Sequence, residues 1–274
     1  HIYNEGLPHE SVALEGVTFS AQDGQLVGII GHTGSGKSTL VQHLNGLLKP
    51  KSGSIVVGGT DITSDGVVMR DIRKKIGLVF QYPEYQLFEE TVAKDVAFGP
   101  ANLGLSEAEI DECVKEAIEM VGLDYEKVKN VSPFELSGGQ KRRAAIAGVI
   151  AMKPEVLILD EPTAGLNPKA HADILNMVET IHRKSKNIIF LVSHNMNDIA
   201  RMSDKVLVMN HGRLVMDGTP AEVFSREEEL KSMGLALPDS MEIMMRLKKA
   251  GMDINTDCLT MDEAAEEIAK VLAK

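Results

Sequence analysis

Short apolar runs alternate with amphipathic stretches along the chain, and this pattern predicts the order of its elements. Nearly continuous hydrophobic runs of strand length occur at 26–30, 76–80, 156–159 and 188–192. Such runs are typical of strands buried on both faces of a parallel sheet. Helical patterns lie between them, as in βαβ units, so the sequence predicts an α/β fold with a parallel-sheet core.

Other patterns surround this core. The first 25 or so residues and residues 53–59 alternate more between apolar and polar positions, which predicts a partly exposed antiparallel region. From about 91 to 152 no strand pattern is present, and Ser106 is placed to cap a helix, so we predict a helical insertion. Residues 205–217 predict a hairpin with its turn at His211 and Gly212.

The end of the chain differs from the rest. Residues 221–274 contain 12 acidic and 7 basic side chains and 6 of the 14 methionines, with helical spacing and no strand pattern. We therefore predict one large domain at 1–224, with a helical subdomain at about 89–152, and a small helical extension at 225–274.

The composition of the chain excludes several classes of function. The chain has 274 residues and a formal net charge of −11, which argues against nucleic acid and anionic lipid as main partners. The longest apolar stretch, 144–152, is too short to span a bilayer. Only two cysteines are present, which suggests a reducing, cytosolic setting. The chain opens with His1 and not Met, so we expect native residues of unknown identity before it.

A phosphate-binding loop follows the first apolar run. The sequence at 31–38 fits G-x-x-x-x-G-K-[ST] and consists of Gly31, His32, Thr33, Gly34, Ser35, Gly36, Lys37 and Ser38. It lies between a predicted strand and a predicted helix, which is the context that the motif needs. Lys37 is expected to bridge the β- and γ-phosphates, and Ser38 to bind Mg²⁺. The alternative is a glycine-rich turn without a ligand.

Two carboxylates end the apolar run at 156–159. Asp160 and Glu161 come where parallel strands present their carboxyl ends to ligands. Asp160 is placed to hold Mg²⁺ through water, and Glu161 to polarise an attacking water molecule. An acidic cap on the following loop is the alternative interpretation.

A second glycine motif precedes the helical run at 141–152. It consists of Leu136, Ser137, Gly138, Gly139 and Gln140. Ser137 is a natural N-cap, and the two glycines leave backbone N–H groups uncovered, so we predict a second anion site.

With these motifs in this order, the chain resembles the ATP-binding-cassette ATPases over about residues 2–224. Gln81, at the end of the second apolar run, is similar to the Q-loop glutamine of that family, and His194 to its switch histidine. Tyr3 lies at about the distance of the aromatic residue that stacks on adenine, although Phe19 is an alternative. The resemblance implies a P-loop NTPase (RecA-like) fold with an antiparallel β subdomain and a helical signature subdomain.

The resemblance also implies a mechanism. Two cassettes pack head to tail, and each ATP lies between the phosphate loop of one and the signature of the other. The loop at 31–38, together with Thr39, would bind ATP, and Ser137, Gly138 and Gly139 would serve the ATP of the partner. The catalytic residues would be Glu161, His194 and Gln81, and the ligands of Mg²⁺ would be Ser38, Gln81 and Asp160.

One position departs from the family pattern. Asn167 stands in the D-loop region where the family usually has Asp. Asn keeps an acceptor oxygen but loses the charge that helps to organise the opposite site. We therefore expect the two ATP sites of the dimer to be unequal.

Several stretches around the motifs resemble one branch of the family, the A-type ATPase subunits of energy-coupling factor transporters, which take up vitamins or transition-metal ions such as cobalt and nickel. These stretches lie at 80–88, 97–100, 132–135, 142–143 and 160–166. The resemblance implies a second ATPase, identical or related, a membrane scaffold docking near Gln81 to Phe88, a substrate-binding membrane subunit, and a peripheral location on the cytoplasmic face of a bacterial membrane. Glu84, Glu89 and Glu90 would supply negative charge to basic residues of the scaffold.

The same motifs are also compatible with other functions. One is a soluble cassette ATPase that acts on DNA or ribosomes, or a different branch of transporter. Another is a nucleotide-binding module without catalysis, against which Glu161, Gln81 and His194 argue. The transported compound and the choice between homodimer and heterodimer do not follow from the sequence.

Overall fold

The structure, a computed structural model, describes residues 1–273. Its strands are β1 (Ile2–Tyr3), β2 (Ser11–Val12), β3 (Leu26–Ile30), β4 (Val56–Val57), β5 (Thr60–Asp61), β6 (Ile76–Val79), β7 (Val156–Asp160), β8 (Ile188–Val192), β9 (Lys205–Asn210) and β10 (Arg213–Gly218). Its helices are α1 (Lys37–Leu44), α2 (Met69–Lys75), α3 (Val92–Asn102), α4 (Glu107–Met120), α5 (Tyr125–Val128), α6 (Gly138–Ile150), α7 (Pro168–Ser185), α8 (Met196–Met202), α9 (Pro220–Phe224), α10 (Glu227–Ser232), α11 (Asp239–Lys249) and α12 (Met261–Leu272).

These elements form two compact units that interleave along the sequence. The first unit contains His1, Gln22–Gly24 and Ser38–Val192. The second contains Ile2–Ala21, Gln25–Lys37 and the chain from Ser193 onward. No helix within residues 1–273 has both the length and the apolar character needed to cross a membrane.

The first unit is built on parallel strands. β7 pairs in parallel with β6 on one side and with β8 on the other. Every residue of β6 and β7 is buried, which explains why both runs are almost wholly apolar. Because the carboxyl ends of parallel strands meet at one edge, Gln81 and Asp160 leave the sheet on the same side.

Helices occupy the sequence between β6 and β7. α3, α4 and α6 pack against one another, and no strand lies between residues 91 and 152 of the described chain. Ser106 and Glu109 form a reciprocal capping box at the start of α4, as expected of this sequence. The predicted helical insertion is therefore present, and the domain bounds given for it stay a prediction.

The second unit contains a hairpin beside a parallel strand. β3 pairs in parallel with β9, and β9 pairs antiparallel with β10. The predicted turn is confirmed, with His211 at φ 46° and Gly212 at φ 76°. Two successive left-handed residues match the turn geometry that suits the twist of a two-residue hairpin.

The antiparallel pairs outside this hairpin are short. β1 pairs with β2 in the second unit, and β4 with β5 in the first, through two residues each. Gly58 and Gly59 form the β4–β5 turn at φ 53° and 77°. The predicted antiparallel character is confirmed for these segments.

Helices α9 to α12 end the second unit. A small apolar cluster forms among α11, α12 and the segment between them, and its buried members are Met244, Ile254, Cys258 and Ala264. Asn197 of α8 exchanges two hydrogen bonds with Asp239 at the start of α11, each of 2.8 Å. Helices α11 and α12 thus pack together, and α11 is attached to α8 of the same unit.

Candidate functional site

The phosphate loop lies in the second unit and wraps around the ammonium group of Lys37. Lys37 is 6% exposed, and its Nζ donates to the carbonyl oxygens of Gly31 at 2.7 Å and His32 at 3.1 Å. Gly31, Gly34 and Gly36 have φ values of 155°, 81° and 103°. A side chain on Gly31 would lie 2.4 Å from the carbonyl oxygen of Met209, so this position requires glycine.

The β9–β10 turn holds the loop in place. The N–H of Gly212 donates to the carbonyl oxygen of Ser35 at 2.9 Å. The ring of His32 lies within hydrogen-bonding distance of Asn210 Oδ1, at 3.1 Å, and its centroid is 5.0 Å from that of His211. His32 therefore anchors the loop to the hairpin, a role that the sequence motif does not assign to it.

Ser38 and Thr39 follow Lys37 on α1 and belong to the first unit. Ser38 is exposed and Thr39 is half-buried. Asp160, the last residue of β7, lies in the same unit and is 9% exposed. A hydroxyl and a carboxylate are oxygen ligands of the type that Mg²⁺ prefers.

Gln81 and Glu161 contact each other in the first unit. The amide Nε2 of Gln81 donates to Oε2 of Glu161 at 3.0 Å. Glu161 has a φ of 51°, a left-handed conformation that is costly for a residue with a side chain. Its N–H donates to the carbonyl oxygen of Val192 at 3.0 Å, which holds the residue in that conformation. Two predicted catalytic residues, 80 positions apart, are therefore adjacent.

His194 belongs to the second unit and lies between β8 and α8. The residues on either side of it form a tight turn, in which the N–H of Asn195 donates to Ser193 Oγ at 3.0 Å. Asn195 then caps α8. His194 itself is exposed, so the turn presents its ring to solvent at the end of the strand.

The signature residues begin α6 in the first unit. Ser137 and Gln140 form a capping box, with Ser137 Oγ accepting from the N–H of Gln140 and Gln140 Oε1 accepting from the N–H of Ser137 at 3.0 Å. A side chain added to Gly138 or Gly139 would meet no atom within 4 Å. The N-terminal face of α6 is thus open, as an anion site requires.

Asn167 and Tyr3 lie at the ends of other elements. Asn167 is the N-cap of α7, and its Oδ1 accepts from the N–H of Ala170 at 3.0 Å. Asn167 therefore has a local structural role besides its predicted place in the D-loop. Tyr3 is on β1 in the second unit and is 39% exposed.

Arg142 lies on α6 and contacts two other segments of the site, the one after Gln81 and the one after Glu161, and the sequence motifs gave it no role. It is 2% exposed and lies on the same buried face of α6 as Ile146 and Ile150. An arginine at helical spacing with buried isoleucines is the signal that indicates a buried charge. Its guanidinium pairs with both oxygens of Glu84, at 3.0 and 2.7 Å.

This ion pair changes the predicted docking surface. Burial is the largest single influence on the Glu84 carboxyl and raises its pKa, but the hydrogen bond from Arg142, a backbone hydrogen bond and the charge of Arg142 together hold that pKa below its usual value. Glu90 is paired with Lys94 at 2.6 Å. The expectation that Glu84 offers free negative charge to a partner is therefore wrong, because Arg142 already neutralises it.

A groove of about 680 Å³ lies beside this segment in the first unit. Phe88 and Phe98 meet edge to face in it, with ring centroids 5.0 Å apart, and are 57% and 50% exposed. The remaining lining includes basic, acidic, amide and apolar side chains, among them Arg70, Arg73, Lys74, Gln86, Leu87, Asp95, Asn102 and Met152. Exposed aromatic side chains in a concave surface are typical of protein-binding sites.

Comparison with known proteins identifies the class to which this fold and these motifs belong. A model of the ABC transporter family matches residues 14–164, more than half of the chain. The chain belongs to the ABC transporter family.

Relatives that match almost the whole chain identify its branch of the ABC transporter family. The chain is 59% identical to the energy-coupling factor transporter ATP-binding protein EcfA2 of Caldanaerobacter subterraneus subsp. tengcongensis, with 99% of this chain and 94% of the relative covered. It is 57% identical to the protein of the same name from Clostridioides difficile, over 99% of this chain and 95% of the relative.

Solved structures agree with this assignment. CbiO1 of Clostridium perfringens, described as part of the ABC transporter complex cbiONQ, is 37% identical with a TM-score of 0.74, over 91% of this chain and 94% of that chain. A dimeric ATP-binding cassette in a post-hydrolysis state with ADP and Pi is 27% identical with a TM-score of 0.70, over 80% of this chain and 95% of that chain. The chain is thus an ATPase subunit of the energy-coupling factor type, coupled to import across a membrane, and the predicted fold and branch are confirmed.

Proposed function

We propose that this chain binds Mg·ATP through the predicted residues, closes as a head-to-tail dimer, and passes the energy of hydrolysis to a membrane scaffold docked beside Gln81 to Phe88. The observation that carries the proposal is the 3.0 Å hydrogen bond between Gln81 and Glu161. It joins the residue that would sense the docked scaffold to the residue that would activate water.

The phosphate loop supports ATP binding through its shape and charge. The carbonyl oxygens of Gly31 and His32 accept hydrogen bonds from Lys37 and hold its ammonium group inside the loop. The positive φ values of Gly31, Gly34 and Gly36 would let the loop turn backbone N–H groups toward phosphate oxygens. These features favour a nucleoside triphosphate, and Tyr3 stays the proposed stacking partner of adenine.

Two oxygen-bearing residues of the first unit, Ser38 and Asp160, suit a magnesium ion by their chemistry. Mg²⁺ is usually bound by one or two protein oxygens together with phosphate oxygens of the substrate. Ser38 and Asp160 supply a hydroxyl and a buried carboxylate of that kind. When bound, Mg²⁺ would neutralise charge on the phosphates. Gln81 would serve it through the amide oxygen, because the amide nitrogen faces Glu161.

Glu161 and His194 have separate tasks in this proposal. Glu161 would accept a proton from the attacking water, and Gln81 orients its carboxylate before ATP is bound. His194 would contact the γ-phosphate, and its exposure at the end of β8 allows that contact. The ATP between two cassettes would also meet the open N-terminus of α6, with Ser137, Gly138 and Gly139, from the partner chain.

The docking site for the scaffold is proposed in the groove beside Phe88. Exposed aromatic rings would accept the apolar side of a scaffold helix. Because Arg142 neutralises Glu84, the groove relies on apolar contact more than on the three glutamates predicted from the sequence. The chain would thereby lie on the cytoplasmic face of the membrane, held there by the scaffold.

The proposed cargo is a vitamin or a transition-metal ion, carried by a separate membrane subunit. A direct experiment is co-purification of the tagged chain from native membranes, followed by identification of the membrane subunits. Reconstituted in vesicles, the complex should take up the solute only with Mg·ATP supplied on the ATPase side. Uptake that is unaffected by Lys37→Ala in this chain would overturn the proposal.

The contribution of the second ATPase is measured separately. The equivalent lysine substitution in the second ATPase, alone and with Lys37→Ala, separates the two sites. The proposal requires that uptake stops in the double variant and falls in at least the single Lys37→Ala variant.

A further inference from the structure

Arg142 joins three segments of the ATPase site that are far apart in sequence. Its guanidinium forms a two-point ion pair with Glu84, three residues after Gln81. Its Nη1 also donates to the carbonyl oxygens of Pro162, at 3.1 Å, and Ala164, at 2.7 Å. Arg142 itself lies on α6, five residues after the signature serine.

The geometry of the Arg142 contacts favours a role in positioning the two segments that it bonds. A guanidinium presents its N–H donors in one rigid plane, so four bonds to two segments fix the relative place of both. The first segment begins at Gln81 and the second at Glu161, and these two side chains are bonded to each other. Because Glu84 and Pro162 follow Gln81 and Glu161 by only three and one positions, a movement of Arg142 would also move the Gln81–Glu161 pair.

Both segments contain backbone that needs such support. Tyr82 and Glu161 have left-handed φ values of 56° and 51°, which residues with side chains rarely adopt. Tyr82 follows Gln81, and its ring centroid is 5.7 Å from the guanidinium carbon of Arg142. Strained backbone persists only where its surroundings hold it, and Arg142 contacts the chain beside both residues.

We propose that Arg142 is a positioning residue for ATP hydrolysis, which sets the separation of Gln81 and Glu161 and links both to the signature helix. The idea rests on the proposed function, because it needs Glu161 as the group that activates water. This role would couple movement of the signature helix to the position of Glu161. α6 carries Ser137, Gly138 and Gly139 at its start, so closure of the signature on the partner's ATP would pull on the segment after this chain's own Glu161.

The alternative role for Arg142 is fold stability alone, and kinetics separate the two. Positioning predicts that kcat falls while the KM for ATP and the binding of a fluorescent ATP analogue change less than about twofold. A loss of stability alone would lower the amount of active protein and the melting temperature, with the kcat of the folded fraction unchanged. The measurements are therefore kcat per ATP-binding site, KM and melting temperature, made on the full chain.

Two conservative substitutions test the contact from both sides. Arg142→Lys keeps the charge but cannot bond Glu84 and two carbonyl oxygens in one plane. Glu84→Gln keeps the shape and one acceptor oxygen, and it carries the test if Arg142→Lys does not fold. We expect each to lower kcat by roughly 10- to 100-fold, the size of effect seen when reacting groups are misplaced. The double variant should be no slower than the slower single variant, because both break the same contact.

The neighbouring arginine supplies a matched control. Arg143 lies one position along α6 and pairs with Asp173 at 3.2 Å. Arg143→Lys should leave kcat within about twofold of the parent chain. The proposal is overturned if folded Arg142→Lys and Glu84→Gln variants keep parental kcat, if their effects multiply in the double variant, or if Arg143→Lys is equally slow.

The Glu161→Gln variant distinguishes failure of the proposed function from failure of the proposed role of Arg142. If Glu161→Gln retains parental turnover, the proposed role of Glu161 fails and the Arg142 idea fails with it. If Glu161→Gln is inactive while Arg142→Lys and Glu84→Gln are fully active, only the role of Arg142 is rejected.

Discussion

The amide of Gln81 donates a hydrogen bond of 3.0 Å to the carboxylate of Glu161. The two residues follow neighbouring strands, β6 and β7, that pair in parallel and end at the same edge of the sheet. In an ATPase of the energy-coupling factor type, this bond connects the segment beside the groove proposed for docking with the predicted general base.

Loss of the Gln81 amide should slow hydrolysis more than it weakens ATP binding. In Gln81→Ala the carboxylate of Glu161 loses the donor that orients it, so we expect kcat to fall by roughly 10- to 100-fold. Steady-state ATPase rates and binding of a fluorescent ATP analogue measure the two effects. Gln86→Ala is the control, since Gln86 is an exposed residue of the same segment. Equal rates in both variants would contradict this prediction.

The phosphate loop should tolerate a methyl group at Gly34 far better than at Gly31. Both have positive φ, but a Cβ on Gly31 would lie 2.4 Å from Met209 O, whereas one on Gly34 meets nothing within 4 Å. We expect Gly31→Ala to lower the free energy of unfolding by roughly 1–3 kcal/mol and to abolish ATP binding. Gly34→Ala should cost about 1–2 kcal/mol through backbone strain alone. Chemical denaturation and ATP titration check both, and similar losses in the two variants would count against the clash.

Asn167 allows a test of unequal ATP sites. Because its Oδ1 caps α7, Asn167→Asp should keep the cap, and its charge should stabilise the helix by about 0.3–1 kcal/mol. Restoring the acidic residue should also change the ATPase rate of the working dimer. An unchanged rate in a variant of equal or greater stability would reject the idea that Asn167 makes the sites differ.

The end of the chain is predicted to hold the dimer together when nucleotide is absent. Its helices have their own apolar cluster around Met244, and Ile243, Met261 and Leu272 are exposed. Deletion of 225–274 should therefore convert the nucleotide-free dimer to monomers, as measured by analytical ultracentrifugation. As a control, the shortened chain carrying Glu161→Gln should still dimerise with ATP. A dimer that persists without nucleotide would contradict this role.

Much of the core could be predicted because its signals are local. The run at 156–159 is apolar because both faces of β7 are buried, and its pattern shows this without knowledge of its neighbours. The turn at His211 and Gly212 and the caps at Ser106 and Ser137 are likewise properties of a few adjacent residues. The phosphate loop is another local feature, since its glycines and lysine are consecutive.

The contacts that the sequence did not reveal are long-range. Arg142 and Glu84 are 58 positions apart, and no local pattern indicates that one neutralises the other. His32 contacts Asn210 across 178 positions, although the motif leaves its place free. The left-handed backbone of Tyr82 and Glu161 also depends on surrounding contacts, because neither residue type favours it.

The central claim, that Glu161 activates water in a site closed by two cassettes, is tested most directly with Glu161→Gln in the full chain. Single-turnover hydrolysis of radiolabelled ATP and the mass of the complex are measured in the same samples, with and without Mg²⁺. The account predicts that hydrolysis falls by roughly 10²-fold or more, with ATP bound unhydrolysed in a stable dimer. Hydrolysis at the parental rate, or ATP bound to a chain that stays monomeric, would contradict it.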